Sequence, residues 1–392
     1  MFIILFLAGL VFLIRLSSKR WGHLGVLRYL PAPLWCYFLP MIASWLGVIP
    51  QSHFIYSLMA KHLLPVCLIL LLLKIQIPII FKLGPRALIT MLTASVAIML
   101  GGPLLLSLAK GFFPDDAWMG LGTLAGSWTG GSINMIAVQQ AVNTPDTLFS
   151  VMIIVDSIVT YTWMGFLIFV SKFQSQFDQW NRSKMEWLEI AEVEGEKFAE
   201  TEGNVALMTQ TTSTKQKMLS VSSIVTAIVF GELAIVLSFW CSNITGFFNA
   251  GTWAILIATG MGIALSLTRV FSASGDKAEN LGYFLLFLLL TTIGAQADLS
   301  GIKDVPSFLL FGFAWLFFMA LCLFVLARIF RIPLFFLAAA GQANVGGAVS
   351  ASIVSGLYRP QLAFVGLLLA VLGSILGTYF GIASSYLMRW VS

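Results

Sequence analysis

Two short stretches place glycines, hydroxyls and amides inside apolar sequence. They are GSWTGGSINMIAV at residues 126–138 and GQANVGGAVSASIV at residues 341–354. Glycine readily adopts unusual backbone dihedral angles, so each stretch is expected to interrupt a helix. The freed N–H and C=O groups, with the adjacent side chains, can replace the hydration shell of an ion or polar solute. The sequence therefore predicts a substrate-binding site formed by Ser127, Thr129, Gly130, Gly131, Ser132, Asn134, Gln342, Asn344, Gly346, Gly347 and Ser350.

A simpler interpretation of small residues in apolar helices is close helix packing, as in GxxxG patterns. One such stretch alone would favour packing, whereas two matched stretches with clustered amides and hydroxyls favour a site. Packing remains the simplest interpretation of the glycine row in the last apolar run. That row consists of Gly366, Gly373, Gly377 and Gly381.

Asp156 is the strongest candidate for binding a cation or a proton. It lies well inside the apolar run LFSVMIIVDSIVTYTWMGFLIFV, and Thr160 follows one helical turn later on the same face. An acid at that depth is costly, and such residues usually face a bundle interior or a cavity. We predict a cation-coupling group of Asp156, Thr160, Asn134 and Asn344; a hydrogen-bonded structural aspartate is the alternative for Asp156. Glu232 is a weaker second candidate.

The composition defines the class of protein. Of 392 residues, 59% are hydrophobic and only 10% are charged, whereas about a quarter of a soluble globular chain is charged. Mean hydropathy is +0.93, and several runs are long enough to cross about 30 Å of hydrocarbon as helices. We predict an all-α polytopic membrane protein. A β-barrel is excluded because its strands alternate apolar and polar residues.

The runs divide the chain into three parts. The predicted domains are a first repeat at 1–171, a cytoplasmic polar linker at 172–219 and a second repeat at 220–392. The predicted spans are 2–14, 31–50, 56–73, 87–109, 147–171, 221–241, 252–268, 281–297, 306–328 and 361–388, with broken segments at 115–141 and 333–357.

The two outer parts have the same order of elements. When Gly130–Gly131 is aligned on Gly346–Gly347, Pro145 falls within one residue of Pro360. Basic residues favour the cytoplasmic side, and their positions fit five crossings per half with both broken segments re-entrant. Five crossings make the repeats inverted, as in many secondary transporters. The basic residues behind this topology are Arg15, Lys19, Arg20, Arg28, Lys74, Lys82, Arg86, Arg269, Lys277, Arg328, Arg331 and Arg359.

The sequence lacks the motifs that are typical of several kinds of enzyme and of ATP-driven proteins. There is no P-loop, HExxH or GxSxG motif, so we expect neither an enzyme nor ATP drive. The four cysteines are scattered and there are only three histidines, so no metal beyond a sodium ion and no cofactor is expected. The pI near 9.0 reflects basic residues beside spans, and no nucleic-acid partner is expected.

The two glycine-rich stretches, with LLPVCLILLLLKIQIPIIFKLGPRAL and VGLLLAVLGSILGTYFG, resemble the YjcL-like family. This is a group of bacterial and plastid membrane proteins with a domain of unknown function. The family is distantly similar to the bile acid:sodium symporters, the citrate:sodium symporters and the cation/proton antiporters. In those groups, discontinuous segments with a related Gly-Gly and Asn pattern build substrate and sodium sites. Gly130, Gly131, Ser132 and Asn134 match that pattern, whereas Ser350 replaces the asparagine in the second copy.

These observations together predict a secondary active transporter in a bacterial inner membrane. The favoured mechanism is sodium-coupled symport of a small anionic or zwitterionic organic solute by alternating access. The alternatives are a cation/proton antiporter and a non-transporting receptor or assembly protein that uses the linker. The expected partners are the lipid bilayer and the solute. The oligomeric state stays open, with a homodimer as one alternative.

Overall fold

The computed structural model describes residues 2–21, 32–73, 80–193, 213–246, 248–268, 275–297, 303–358 and 360–392, and these ranges contain helices and no strands. The helices are α1 (Phe2–Trp21), α2 (Ala32–Trp45), α3 (Phe54–Leu72), α4 (Gly84–Leu108), α5 (Ala117–Gly130), α6 (Ser132–Val142), α7 (Asp146–Ser171), α8 (Gln174–Asn181), α9 (186–193), α10 (Ser213–Thr245), α11 (Ala250–Ser266), α12 (Gly275–Gln296), α13 (Val305–Phe330), α14 (Leu334–Val345), α15 (Gly347–Tyr358) and α16 (Ala363–Val391).

Six of the described helices are long and apolar enough to cross a bilayer. They are Phe54–Leu72, Gly84–Leu108, Asp146–Ser171, Ser222–Thr245, Val305–Phe330 and Ala363–Val391. Shorter apolar helices at Phe2–Ser17, Ala250–Ser266 and Asn280–Gln296 coincide with three further predicted spans. The chain is therefore an integral, multi-pass α-helical membrane protein, as predicted.

Both predicted broken segments are discontinuous helices. Residues 115–141 fold as α5 and α6, and residues 333–357 fold as α14 and α15. The inversion of the two repeats and the domain division stay predictions. Several of the predicted cytoplasmic residues lie outside the described ranges, namely Arg28, Lys74, Arg269, Arg359 and linker residues 194–212.

The chain folds into two compact units. The first contains Met1–Lys74, Thr144–Ile153 and Met218–Asp304. One of its cores joins Leu7 of α1 and Tyr56 of α3 to Leu288 of α12, and another joins α3 to Ala234 of α10 and Ala258 of α11. Helix α3 therefore contributes to both of these cores.

The second unit contains Ile75–Asn143, Ile154–Lys217 and Val305–Ser392, so it includes all four half-helices. Its largest buried side chains include Trp315 of α13, whose indole Nε1 donates to the Ile98 carbonyl over 3.0 Å. The Trp315 ring stands edge-on to Trp128 of α5, with ring centroids 5.3 Å apart. The first broken segment is thus supported from one side by α13 and α4.

The glycine row of α16 packs against the broken segments. A Cβ on Gly366 would lie 2.3 Å from the Ala351 carbonyl oxygen of α15. A Cβ on Gly373 would lie 2.3 Å from the Thr129 carbonyl oxygen of α5, and one on Gly377 would lie 2.7 Å from the Cα of Gly130. Close packing is therefore confirmed, and at these three glycines α16 approaches α5 and α15.

The close approach makes α16 intolerant of added volume. Gly377→Ala should lower the unfolding temperature, because its methyl group would meet the Gly130 backbone, and such overpacking costs about 1–3 kcal/mol. Gly165→Ala in α7 is the matched control, since no atom lies within 4 Å of its added Cβ. Alanine should raise the unfolding temperature there, because it is a better helix former than glycine. Tryptophan fluorescence during heating of the detergent-purified protein measures both variants; equal effects would contradict the packing argument.

Candidate functional site

The first break is centred on Gly131. Its φ of 85° and ψ of −176° lie in a region that residues with a Cβ rarely occupy. The Gly131 N–H donates to the Ser127 carbonyl over 2.7 Å, which closes α5, and the Gly131 carbonyl accepts the amides of Asn134 and Met135. The glycine therefore ends one helix and begins the next without a loop.

Asn134 bridges this break and ties it to α16. Its Nδ2 donates to the Gly130 carbonyl over 2.7 Å and to the Ser374 carbonyl over 3.3 Å, while its Oδ1 accepts the Thr378 hydroxyl. The side chain is 1% exposed. Its amide is fully engaged by the protein, so the structure favours a role in shaping the break.

The second break lies at Gly346 and Gly347. The Gly346 N–H donates to the Gln342 carbonyl over 2.8 Å, and Gly347 has a φ of 74°. Asn344 is fully buried in the last turn of α14. Its Nδ2 donates to the Ala340 carbonyl and contacts the Met91 sulfur, while its Oδ1 accepts the Ser95 hydroxyl over 2.8 Å. Asn344 therefore fastens α14 to α4, as Asn134 fastens the first break to α16.

Gln342 differs from both asparagines. Its side chain is fully buried, yet neither Oε1 nor Nε2 has a hydrogen-bond partner. A Cβ on Gly346 would lie 2.0 Å from the Gln342 Nε2 and 2.2 Å from the Ser350 hydroxyl oxygen, so both groups line the break. A buried polar group without a partner is costly. The hydrogen-bonding capacity of the Gln342 amide is thus left unused by the protein at this break.

Asp156 and Thr160 of α7 contact one broken segment each. The Asp156 carboxylate lies close to the side chains of Ser127, Trp128 and Thr160, but neither its Oδ1 nor the Trp128 Nε1 makes a hydrogen bond of normal geometry. The Thr160 hydroxyl is 3.4 Å from the Val345 carbonyl oxygen. The C-terminal ends of α5 and α14 therefore meet the same face of α7.

The electrostatics at this point favour a cation. The last carbonyls of a helix have no intrahelical partners, and the helix dipole makes this end negative. The end of α5 lies beside the Asp156 carboxylate, the end of α14 contacts Thr160 one turn away, and no basic side chain neutralises the carboxylate among the described contacts. Carboxylate, hydroxyl and carbonyl oxygens are the ligands that hard cations prefer. We call Asp156, Ser127, Thr160 and the Val345 carbonyl the oxygen cluster.

The other predicted residues occupy two settings. Thr129 is buried and donates to the Ala125 carbonyl within α5, whereas Ser132 at the start of α6 is partly exposed. Sequence reasoning missed Trp128, Ser95, Ser374 and Thr378. A polar residue within an apolar helix was the only available signal for the last three.

The weaker acid candidate belongs to the first unit. The Glu232 Oε1 is 2.9 Å from the Nδ1 of His62, and both side chains are partly exposed. Lys61 lies over the Phe239 ring at 5.3 Å. His62 therefore pairs with this acid, so Glu232 has a partner within the first unit.

The apolar helices and the two helix breaks define a polytopic membrane protein with discontinuous segments. The chain belongs to the family described as "Protein of unknown function (DUF819)", whose sequence model matches residues 2–391. It is 26% identical over 373 residues to the "Uncharacterized membrane protein YjcL" of Bacillus subtilis (strain 168), covering 90% of this chain and 87% of that protein. The resemblance to the YjcL-like family is thereby confirmed.

The structural assignment of the two asparagines can be tested through stability. Asn134→Ala and Asn344→Ala should each lower the unfolding temperature in sodium-free buffer, since each leaves buried polar groups unpaired at about 1–3 kcal/mol per group. Ser352→Ala is the control, because that hydroxyl bonds only the Ala348 carbonyl of its own helix. If both asparagine variants unfold at the wild-type temperature, the two amides are not structural and become candidates for ligand binding again.

Proposed function

We propose that the protein is a secondary active transporter that couples sodium to the uptake of a small organic anion or zwitterion. The observation that carries the proposal is the oxygen cluster, where the C-terminal ends of two half-helices meet Asp156. In transporters with discontinuous helices, such ends and unwound carbonyls coordinate the coupling ion. A carboxylate inside a span also needs a counter-charge, which a bound cation supplies.

The solute is assigned to the second break. Helix N-termini favour anionic groups, and α15 begins there with the buried Gln342 amide and the Ser350 hydroxyl beside it. Because Gln342 and Val345 belong to the last turn of α14, cation and solute sites share one short element. Binding of either ligand is then expected to raise the affinity for the other by the same factor. Alternating access would expose this pair of sites to each side of a bacterial inner membrane.

The coupling ion can be tested with Asp156→Asn. The wild-type protein should unfold at a higher temperature in sodium than in potassium or choline. A sodium concentration about 100 times its Kd should add about 2.7 kcal/mol to the free energy of unfolding. Asp156→Asn should abolish that difference, because the neutral amide removes the charge of the oxygen cluster. Asp146→Asn at the start of the same helix and Glu232→Gln in α10 are the controls, and both should keep the sodium response.

The proton antiporter gives a different result in the same preparation. Sodium added in weak buffer would release protons from the wild-type protein and not from Asp156→Asn, with no organic ligand required. Sodium-dependent proton release, combined with no stabilising solute in any salt, would replace the symporter by the antiporter.

The solute site can be tested with Gln342→Ala. A panel of mono- and dicarboxylates and amino acids should contain a compound that stabilises the wild-type protein more in sodium than in choline. Gln342→Ala should weaken that effect about tenfold, as expected for a lost hydrogen bond of about 1.4 kcal/mol, while sodium alone still stabilises. Gln140→Ala, whose amide bonds Gln139 within α6, should behave as wild type. Full solute binding by Gln342→Ala would place the solute elsewhere.

A further inference from the structure

Part of the predicted polar linker docks onto the start of the second broken segment. Helix α8 (Gln174–Asn181) buries Asp178 and Asn181. Both residues face the turn between α13 and α14, which contains residues 331–333. One face of α8 is therefore packed against protein, although the charge pattern of the linker predicts a solvated segment.

Asp178 supplies the cap that α14 lacks in its own sequence. The residue before α14 is Pro333, which makes no side-chain capping bond. The Leu334 N–H donates instead to the Asp178 Oδ1 over 2.9 Å. Asp178 is 8% exposed; burial raises its pKa, and the bond from Leu334 opposes that rise. A carboxylate at a helix N-terminus satisfies a free amide and the positive end of the dipole.

Asn181 holds the backbone that leads into α14. Its Nδ2 donates to the Ile332 carbonyl over 3.1 Å and to the Ala327 carbonyl over 3.2 Å. The Lys184 N–H donates to the carbonyl of Arg331, a residue in the left-handed region with a φ of 54°. Two carbonyls of this turn and one in the last turn of α13 are therefore fixed by the linker.

Aromatic contacts anchor the linker on the same surface. Trp180 is stacked on Phe324 of α13, with ring centroids 5.7 Å apart, and the Arg328 guanidinium lies 4.8 Å from the Trp180 ring centroid. The Arg86 guanidinium of α4 lies 5.0 Å from the Trp187 ring centroid. Cation–π contacts of this kind contribute about 0.5–1 kcal/mol each at exposed sites. The contacts hold residues 174–187 against α13 and α4.

We propose that residues 174–187 form a latch that fixes α14, with Asp178 as a positioning residue for the oxygen cluster at the other end of that helix. Helix α14 has 12 residues and is about 18 Å long at about 1.5 Å per residue. A short rigid helix transmits a shift of its first turn to its last, where Val345 and Gln342 lie. This inference rests on the proposed sodium site and adds a regulatory contact to it.

The latch is tested with Asp178→Ala, Asp178→Asn and the control Glu189→Gln, an exposed acid on the neighbouring α9. The probe is sodium alone, and the readout is the sodium concentration for half-maximal thermal stabilisation of the full-length protein. Asp178→Ala should raise it about fivefold, corresponding to the typical cost of about 1 kcal/mol for a lost cap. Asp178→Asn keeps an acceptor for Leu334 and should show a smaller rise, and Glu189→Gln should show none. An unchanged value for Asp178→Ala would overturn the proposal.

Hydrogen exchange provides a readout independent of sodium. In the Asp178 variants, amide exchange should accelerate along the whole of α14, including its last turn. Acceleration confined to the first turn would mean that the cap acts only locally, and the proposal would be wrong. If the wild-type protein shows no sodium response, the proposed function fails, while exchange still decides whether the latch exists. Asp178→Asn serves both measurements if Asp178→Ala does not fold.

Discussion

A helix that stops inside a bilayer must find hydrogen-bond partners for the backbone groups it frees, because the hydrocarbon offers none. Much of the second unit follows from this requirement at two places, Gly131 and Gly347. Asn134 satisfies the first break together with hydroxyl and carbonyl groups of α16, and Asn344 secures the second against α4. The glycine row of α16 brings that helix close enough to the first break for the Asn134 bonds to form. The breaks are therefore stable parts of the fold.

The same requirement separates two kinds of buried polar residue. The asparagines have their hydrogen bonds filled by protein, so a ligand would have to displace those bonds. The amide of Gln342 and the Oδ1 of Asp156 have no such partners. Retaining unpaired polar groups is costly in any fold, and a carboxylate beside two helix C-termini adds like charge. A bound cation and a polar solute would remove both costs, which is why the proposed sites lie at these two residues.

The second unit is assembled from distant parts of the chain. It combines the broken segments of both halves with the first part of the linker, and α14 contacts different partners at its two ends. Its first amide is capped by Asp178, 156 residues earlier, and its last carbonyl faces Thr160, 185 residues earlier. In the proposed latch, α14 relays a change at the linker to the proposed ion site, because contacts with distant residues hold both of its ends.

The sequence by itself determined the membrane-spanning helices, the positions of both breaks and the presence of an acid within α7. These features depend on local properties, namely apolar run length, glycine backbone freedom and the hydration cost of a charge. Only the tertiary structure decided that Asn134 and Asn344 are saturated, that Gln342 is not, and that Asp178 caps α14. Asn134, Asn344 and Asp178 each bond a partner more than 150 residues away, at Thr378, Ser95 and Leu334 respectively. Hydrogen bonding is short-ranged in space and unrelated to distance along the chain, so no local pattern reports which polar residue is left for a ligand.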